Sequence, residues 1–332
     1  MKNRHVIKKI LTILYLFVFF SSTGQVINLK PIDVSLGPIN FNSKYIKENQ
    51  VKSIVLDIVD KPDGSVIIDK DATQGYEFDS LGRLSRYYYT ILNKSVSREV
   101  AIPSIVKRGK VIRAASTETK TEFVNDTIFV NVYYDNKSRV ICKRVRTGDF
   151  YDTYYYEYNE KEQLKKEIHF KETNISENKK EFKLGVQSLL SSETFQYTQL
   201  TPTQIRKSCL NDEGKEYKKI IMNYDAAGNK ISESYQYLVG WMYQEATFKY
   251  DANNRLIDRT MSSNENGEQK QHSVFIYSDR NTLLTEQKYK GDQLIMEVSY
   301  LYDEANVMIK SQINRDFKNA SIGIIKYSYT FY

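Results

Sequence analysis

The chain has 332 residues, a net charge of +7, 27 tyrosines and only two cysteines. Four of the positive charges (Lys2, Arg4, Lys8, Lys9) fall in residues 1–24, which leaves +3 on the remainder with no basic cluster. That balance excludes a nucleic-acid binder, which concentrates its charge in a patch or stripe, and the scattered Cys142, Cys209, His169 and His272 fall short of a four-ligand zinc site.

In chain order, residues 1–24 read as an export signal: a basic start, an apolar run from Ile10 to Phe20, and Ser21-Ser22-Thr23-Gly24 before Gln25. An uncleaved anchor is the rival reading, but such a run as a helix spans roughly 16 Å, about half of a hydrocarbon core of roughly 30 Å. No later segment is apolar enough for a membrane-spanning helix. Residues 25–50, with Pro31 and Pro38 and no alternation, form a lead-in expected to pack on or cap the first strand. VKSIVLDIV and SVIID then predict a first hairpin. Asp69-Lys70-Asp71-Ala72-Thr73 imitates the start of a calcium loop, but Gln74 and Ser80 stand where Gly and Glu are required, so a polar turn is expected.

From residue 51 onward one frame recurs: YEFDSLGRL at 76, VYYDNKSRV at 132, YEYNEKEQL at 156, MNYDAAGNKI at 222, FKYDANNRL at 248, FIYSDRNTL at 275 and YLYDEANVM at 300. In the C-terminal half its polar residue falls at 225, 251, 278 and 303, a period of about 25 residues. Asp or Asn at the first place of a type I turn caps the turn with its own side chain, and Gly or Asn three residues on accepts positive φ. Asp79 with Gly82, Asp225 with Gly228, Asp251 with Asn254 and Asp303 with Asn306 are therefore structural turn residues, as are Asn211 and Gly214. Asp135 with Ser138 and Asn159 with Glu162 are weaker copies, whose fourth residues do not favour positive φ. A second set of turns lies midway, at Asn264–Gly267, Lys290–Asp292 and Asp316–Asn319. Between turns the chain alternates: Ile325, Tyr327, Tyr329 and Phe331 take one face, and Lys326, Ser328 and Thr330 the other. The expected fold is all-β, an antiparallel meander of repeated hairpins in a single extended or curled sheet over 51–332, with an insertion, partly helical, near 172–190.

YEFDSLGRL, NYDAAGNKI and KYDANNRLIDRT resemble the YD repeat of Rhs and related surface proteins, whose core reads Tyr-Asp-x-x-Gly-Arg-Leu. The resemblance runs from about residue 76 to 332 and implies the strand–turn–strand fold. It implies no catalytic residue. Strong members of that family wind many such repeats into a shell around a toxin; this chain has too few repeats for that and continues the repeat to Tyr332.

No nucleophile, zincin, Walker or dinucleotide motif appears, and neither a catalytic residue nor a cofactor is expected. His169 and His272 read as solvated surface residues, and the repeated Asp residues as turn caps rather than a row of cation ligands. The tyrosines at Tyr87, Tyr89, Tyr154, Tyr156, Tyr235 and Tyr237 are the candidate ligand-binding residues, expected as exposed rings able to stack on a glycan or meet a protein; Trp241, beside Gly240 at a turn, carries no special weight. Function is thus expected to be that of an exported, non-enzymatic binding or scaffold protein whose partner is a glycan or a cell-surface protein. The alternative is an outer-membrane β-barrel, to which strands of about ten residues and the aromatic C-terminus fit. Against it, RLIDRTM and KEYKKIIMNY carry charge too close to mid-strand for a lipid-facing wall.

Overall fold

The computed structural model describes residues 25–332, apart from 63, 65, 103–104, 108–109, 114–115, 178–180, 266, 268 and 306–307. The expected export signal and Asn306 thus lie outside the described residues. A short helix α1 (Ser43–Glu48), capped by the Asn42 side chain accepting the Tyr45 N–H, precedes the strands. These are β1 (Val51–Pro62), β2 (Ile68–Phe78), β3 (Leu84–Ile102), β4 (Ile105–Lys107), β5 (Lys110–Arg113), β6 (Ser116–Tyr134), β7 (Val140–Thr147), β8 (Phe150–Tyr158), β9 (Leu164–Asn174) and β10 (Leu184–Thr201). There follow β11 (Gln204–Leu210), β12 (Glu216–Tyr224), β13 (Lys230–Tyr237), β14 (Tyr243–Tyr250), β15 (Leu256–Ser263), β16 (Gln269–Tyr277), β17 (Leu283–Lys290), β18 (Gln293–Tyr302), β19 (Ile309–Asp316) and β20 (Ser321–Phe331).

Apart from the small β4–β5 hairpin, each strand pairs antiparallel with its neighbours along the chain, β3 pairing with β6. β20 then pairs back onto β1, from Val51 opposite Phe331 to Pro62 opposite Ser321. Eighteen strands therefore form one closed ring. The antiparallel all-β meander is as expected; the single extended or curled sheet is not, because closure pairs the N–H and C=O rows that an open meander leaves at two edges. The Asp69–Thr73 stretch is part of β2, with Asp69 opposite Val59, and not a turn. The 172–190 segment holds no helix among its described residues: β9 and β10 extend as a hairpin, Leu184 opposite Asn174.

One rim of the ring carries the repeated turns, and their chemistry explains the whole frame. Asp79 accepts the N–H groups of Leu81 and Arg83 on Oδ1, while Oδ2 meets the Arg83 guanidinium at 2.7 Å. Asp135 with Arg139 and Asp251 with Arg255 repeat the arrangement. Each of these arginines lies over the tyrosine of the following repeat: Arg83 on Tyr134, Arg139 on Tyr158, Arg255 on Tyr277, at 4.6 to 4.8 Å. That tyrosine donates its hydroxyl backward, Tyr134 to the Leu84 carbonyl, Tyr158 to Val140, Tyr277 to Leu256, Tyr302 to Leu283 and Tyr329 to Ile309. The accepting residues are the apolar ones that close the frame, and all are buried. Aromatic, Asp, Arg and an apolar residue thus stitch three of the repeats to the next, and the backward tyrosine bond recurs in others.

Ser138 and Glu162 adopt φ of 64° and 63° although neither favours it, because the Asp135 and Asn159 caps and their 3.0 to 3.1 Å backbone bonds dictate the turn. The Asn211–Gly214 turn lies on the opposite rim from the other Asp and Asn turns, since β12 separates it from the turn at Asp225.

Gly82 and Gly228 occupy equivalent turns, at φ of 77° and 81°, but differ in surroundings. A Cβ on Gly82 would meet the Ser43 carbonyl of α1 at 2.2 Å, whereas one on Gly228 meets nothing within 4 Å. Gly228→Ala is expected to cost about 1 kcal/mol of backbone strain, and Gly82→Ala at least twice that, because α1 must move. Equal losses in thermal melts would mean that α1 does not dock there.

Candidate functional site

Alternation sorts the side chains into two populations. Inward-facing residues such as Ile54, Leu56, Tyr76, Val130, Val132, Ile220, Met222, Phe248, Phe275 and Val298 form a buried core. The outward rows are mixed: Ser232, Ser234, Thr247, Thr260 and Ser262 run side by side across β13–β15, while Ile276, Leu284 and Leu301 are exposed on neighbouring strands. Ion pairs cross the same wall, Arg206 to Glu216 at 2.8 Å and Arg315 to Glu297 at 3.9 Å, and His272 Nε2 lies in hydrogen-bond contact with Asp258 at 2.8 Å.

The lead-in fills the ring. Val26, Ile27, Tyr45 and Ile46 are buried, and Phe41 packs edge-on against Tyr76 and Phe78. Its polar groups reach different strands: Asp33 meets Lys230 at 3.5 Å, the Lys30 ammonium donates to Asn229, and the Lys143 ammonium donates to the Ser35 carbonyl. Gly37 lies against the Tyr87 ring. The segment expected to cap the first strand is thus a plug through the lumen, because the inward apolar face of a closed ring needs an apolar filling. Beside it a cavity of about 500 Å³ remains, lined in part by Arg259, Glu286, Lys288, Tyr300 and Gln312. Buried Glu286 there lies 3.5 Å from Arg259 and 3.7 Å from Lys288.

The six candidate tyrosines all face this interior. Tyr87 and Tyr156 are each 5% exposed, and Tyr89, Tyr154, Tyr235 and Tyr237 are half-buried. Tyr87 stacks with Tyr76 at 4.8 Å and Tyr89 at 5.3 Å, and Tyr154 with His169 at 4.2 Å. Tyr87 and Tyr156 are core, Tyr89, Tyr154 and Tyr235 pack against it, and the expected row of exposed rings is not found among the six. His169 shares that inner face, 3.3 Å from Asp152, and is not the surface residue expected, whereas His272 lies partly exposed on the outer wall beside Asp258. Of the turn residues, Asp79, Asp225, Asp251 and Asp303 cap their turns, with Gly82, Gly228 and Asn254 at positive φ. No group of three metal-ligating side chains occurs among the described residues. Cys142 and Cys209 are free, and lie on opposite faces of the wall, the outer and the inner; burial pushes each thiol up to about 11.

Outside the ring, the β9–β10 hairpin folds over β6–β8 and buries a polar cluster. Glu172, fully buried, accepts from Thr153 and Gln187 at 2.7 Å, Tyr155 at 2.8 Å and Arg144 Nε at 3.0 Å. Burial opposes its charged form, but these four donors outweigh it and hold the carboxyl below the usual carboxylate range. Phe182 covers the Arg144 guanidinium at 4.2 Å and meets Tyr151 edge-on at 5.0 Å. Against this cluster opens a cleft of about 570 Å³, lined by Arg86, Phe129, Tyr133, Arg146, Tyr151 and Phe182, with Asn131 and Glu181 completing it. The Arg86 guanidinium carbon lies over the Phe129 ring at 4.6 Å, and its buried Nε makes no hydrogen bond among the described residues. Sequence reasoning missed this cleft because its residues come from five separate segments; the only signal was the interruption of the repeat near 172–190.

Ring, plug and wall define a class, the closed and internally filled antiparallel β-barrel. No family model and no curated protein matches the chain. Among solved structures it is similar to a porin-like protein from Bacteroides uniformis, at 12% identity and a TM-score of 0.38, covering 85% of this chain and 97% of that one. It is also similar to TcdB2-TccC3 without its hypervariable C-terminal region, at 10% identity and a TM-score of 0.18, over 75% of this chain and 17% of that one. These likenesses are remote, and nothing is carried over from them.

Proposed function

We propose that the chain is an exported, non-enzymatic β-barrel of the cell envelope whose wall faces water and whose work is binding at that wall. The closed ring is the architecture that the outer-membrane alternative expected and the open scaffold did not. What supports a water-facing barrel is the make-up of its wall: a lipid-facing wall must be apolar over about 25 Å, yet here the buried apolar core lies inward and the outer face mixes Ser, Thr and charged pairs such as Arg315–Glu297 and Arg206–Glu216 with its apolar residues. The plug supports the same reading, since a filled lumen is not a pore. The stitching of aromatic, Asp, Arg and Leu from repeat to repeat supports kinship with short YD-repeat proteins, and a glycan or surface protein is the partner class.

A lipid-embedded barrel is the second reading, favoured by closure and by exposed apolar residues on many strands, among them Ile141, Ile276, Leu284 and Leu301, with groups at Val186, Leu189 and Leu190 on β10 and at Val239 and Trp241 between β13 and β14. Fractionation of the tagged protein, followed by purification without detergent, separates the two. Recovery as a soluble monodisperse protein is expected. Recovery only from outer membrane in detergent, with heat-modifiable migration on a gel, would replace the water-facing reading by the lipid-embedded one.

A further inference from the structure

We infer that the cleft beside the β9–β10 hairpin binds a small aromatic anion, an aryl carboxylate or aryl sulfonate in chemical class. The inference rests on the water-facing reading only in that the cleft must be open to solvent. Its volume lies in the range of small-molecule pockets, which pair apolar and aromatic lining with a few placed polar groups. The positive groups are Arg86 and Arg146. Neither forms an ion pair among the described residues: Arg86 stacks on Phe129 and Arg146 Nε donates only to the Gly148 carbonyl at 3.3 Å. Elsewhere on this wall guanidinium groups are consumed by carboxylates, as at Arg144, Arg206 and Arg255. A guanidinium lining a cleft without a carboxylate partner retains N–H donors for a planar oxyanion.

The rest of the lining selects a ring. Tyr133 is 39% exposed, and Phe182 and Tyr151 stand at the side, held by the buried Arg144–Glu172 cluster behind them. Offset or edge-on contact with an aromatic ligand adds to burial there. A peptide is a poorer fit, because β3, β6, β7 and β8 are paired on both sides and offer no free backbone edge for strand addition.

Titration calorimetry of the full chain with four probes tests this: naphthalene-2-carboxylate, naphthalene-2-sulfonate, cyclohexanecarboxylate and naphthalene-2-methanol. Either naphthalene anion should bind at least about tenfold more tightly than the alicyclic anion and the neutral alcohol, and the stronger of the two identifies the oxyanion. Arg86→Gln with Arg146→Gln should remove that preference while leaving the melt unchanged; Tyr133→Ala, at an exposed position, should weaken the aromatic anions alone and serves if the double variant does not fold. No binding, equal binding of all four probes, or binding indifferent to these substitutions would overturn the inference. Should the protein prove soluble only in detergent, the same titrations in detergent still decide the cleft, so the two readings fail separately.

Discussion

Ile46→Asp is expected to abolish the cooperative fold. Ile46 is 0% exposed, on α1, within the apolar filling of the ring. The substitution removes a buried apolar side chain and places a carboxylate within the apolar filling; the combination costs about 4 kcal/mol or more. Lys52→Asp, at an exposed position beside the register shift in β1, should change stability by no more than about 0.5 kcal/mol. A melt of Ile46→Asp as sharp and as high as that of Lys52→Asp would mean that the lead-in does not occupy the lumen.

The second large effect concerns Glu172. Arg144→Met keeps much of the bulk under Phe182 but removes the cation from a fully buried carboxylate, and breaking such a pair costs about 3–5 kcal/mol. The pH dependence gives the role a signature. In the native chain the folded-state value of Glu172 is depressed, so its contribution is present above the unfolded carboxylate value of about 4.3 and is lost as pH falls through the folded value. Without Arg144 the buried carboxyl is more easily protonated, so the deficit of the variant should shrink as pH falls from 7 toward 4.5. Parallel denaturant curves at the two pH values check this. A deficit that stays constant would assign Arg144 to packing alone.

The repeat was legible because turn chemistry is local. Asp79 and Gly82 need only the backbone between them, so their role can be read from four residues. What Arg83 does was not legible: it is one partner of Asp79 and lies over Tyr134, a contact that exists only once β3 and β6 are paired. Closure was hidden for a related reason. Period-two alternation is the same in an open sheet and in a ring, and the pairing of Ile54 with Tyr329 leaves no local mark. The tyrosines were misassigned because Tyr87, Tyr88 and Tyr89 alternate, and alternation does not say which side is buried. A register shift beside Phe78 puts Tyr87 and Tyr89 inside and Tyr88 outside. The cleft needed Arg86, Phe129, Arg146 and Phe182 brought together from distant segments.

The seam between β1 and β20 governs how such a chain can assemble. Every other strand pairing of the ring can form as a hairpin soon after its residues are available, but β1 must wait for a strand more than two hundred and fifty residues away. Non-local pairing of this kind is slow, since loop-closure entropy must be met before its contacts are gained. The residues that fill the lumen precede the strands in the chain, so the wall is expected to wind around a centre already present and to lock it in at the last step. The seam then acts as a clasp: while it is open, β1 and β20 are unpaired edges that invite a second chain, and once it is shut the lead-in cannot leave without parting one antiparallel ladder along its length.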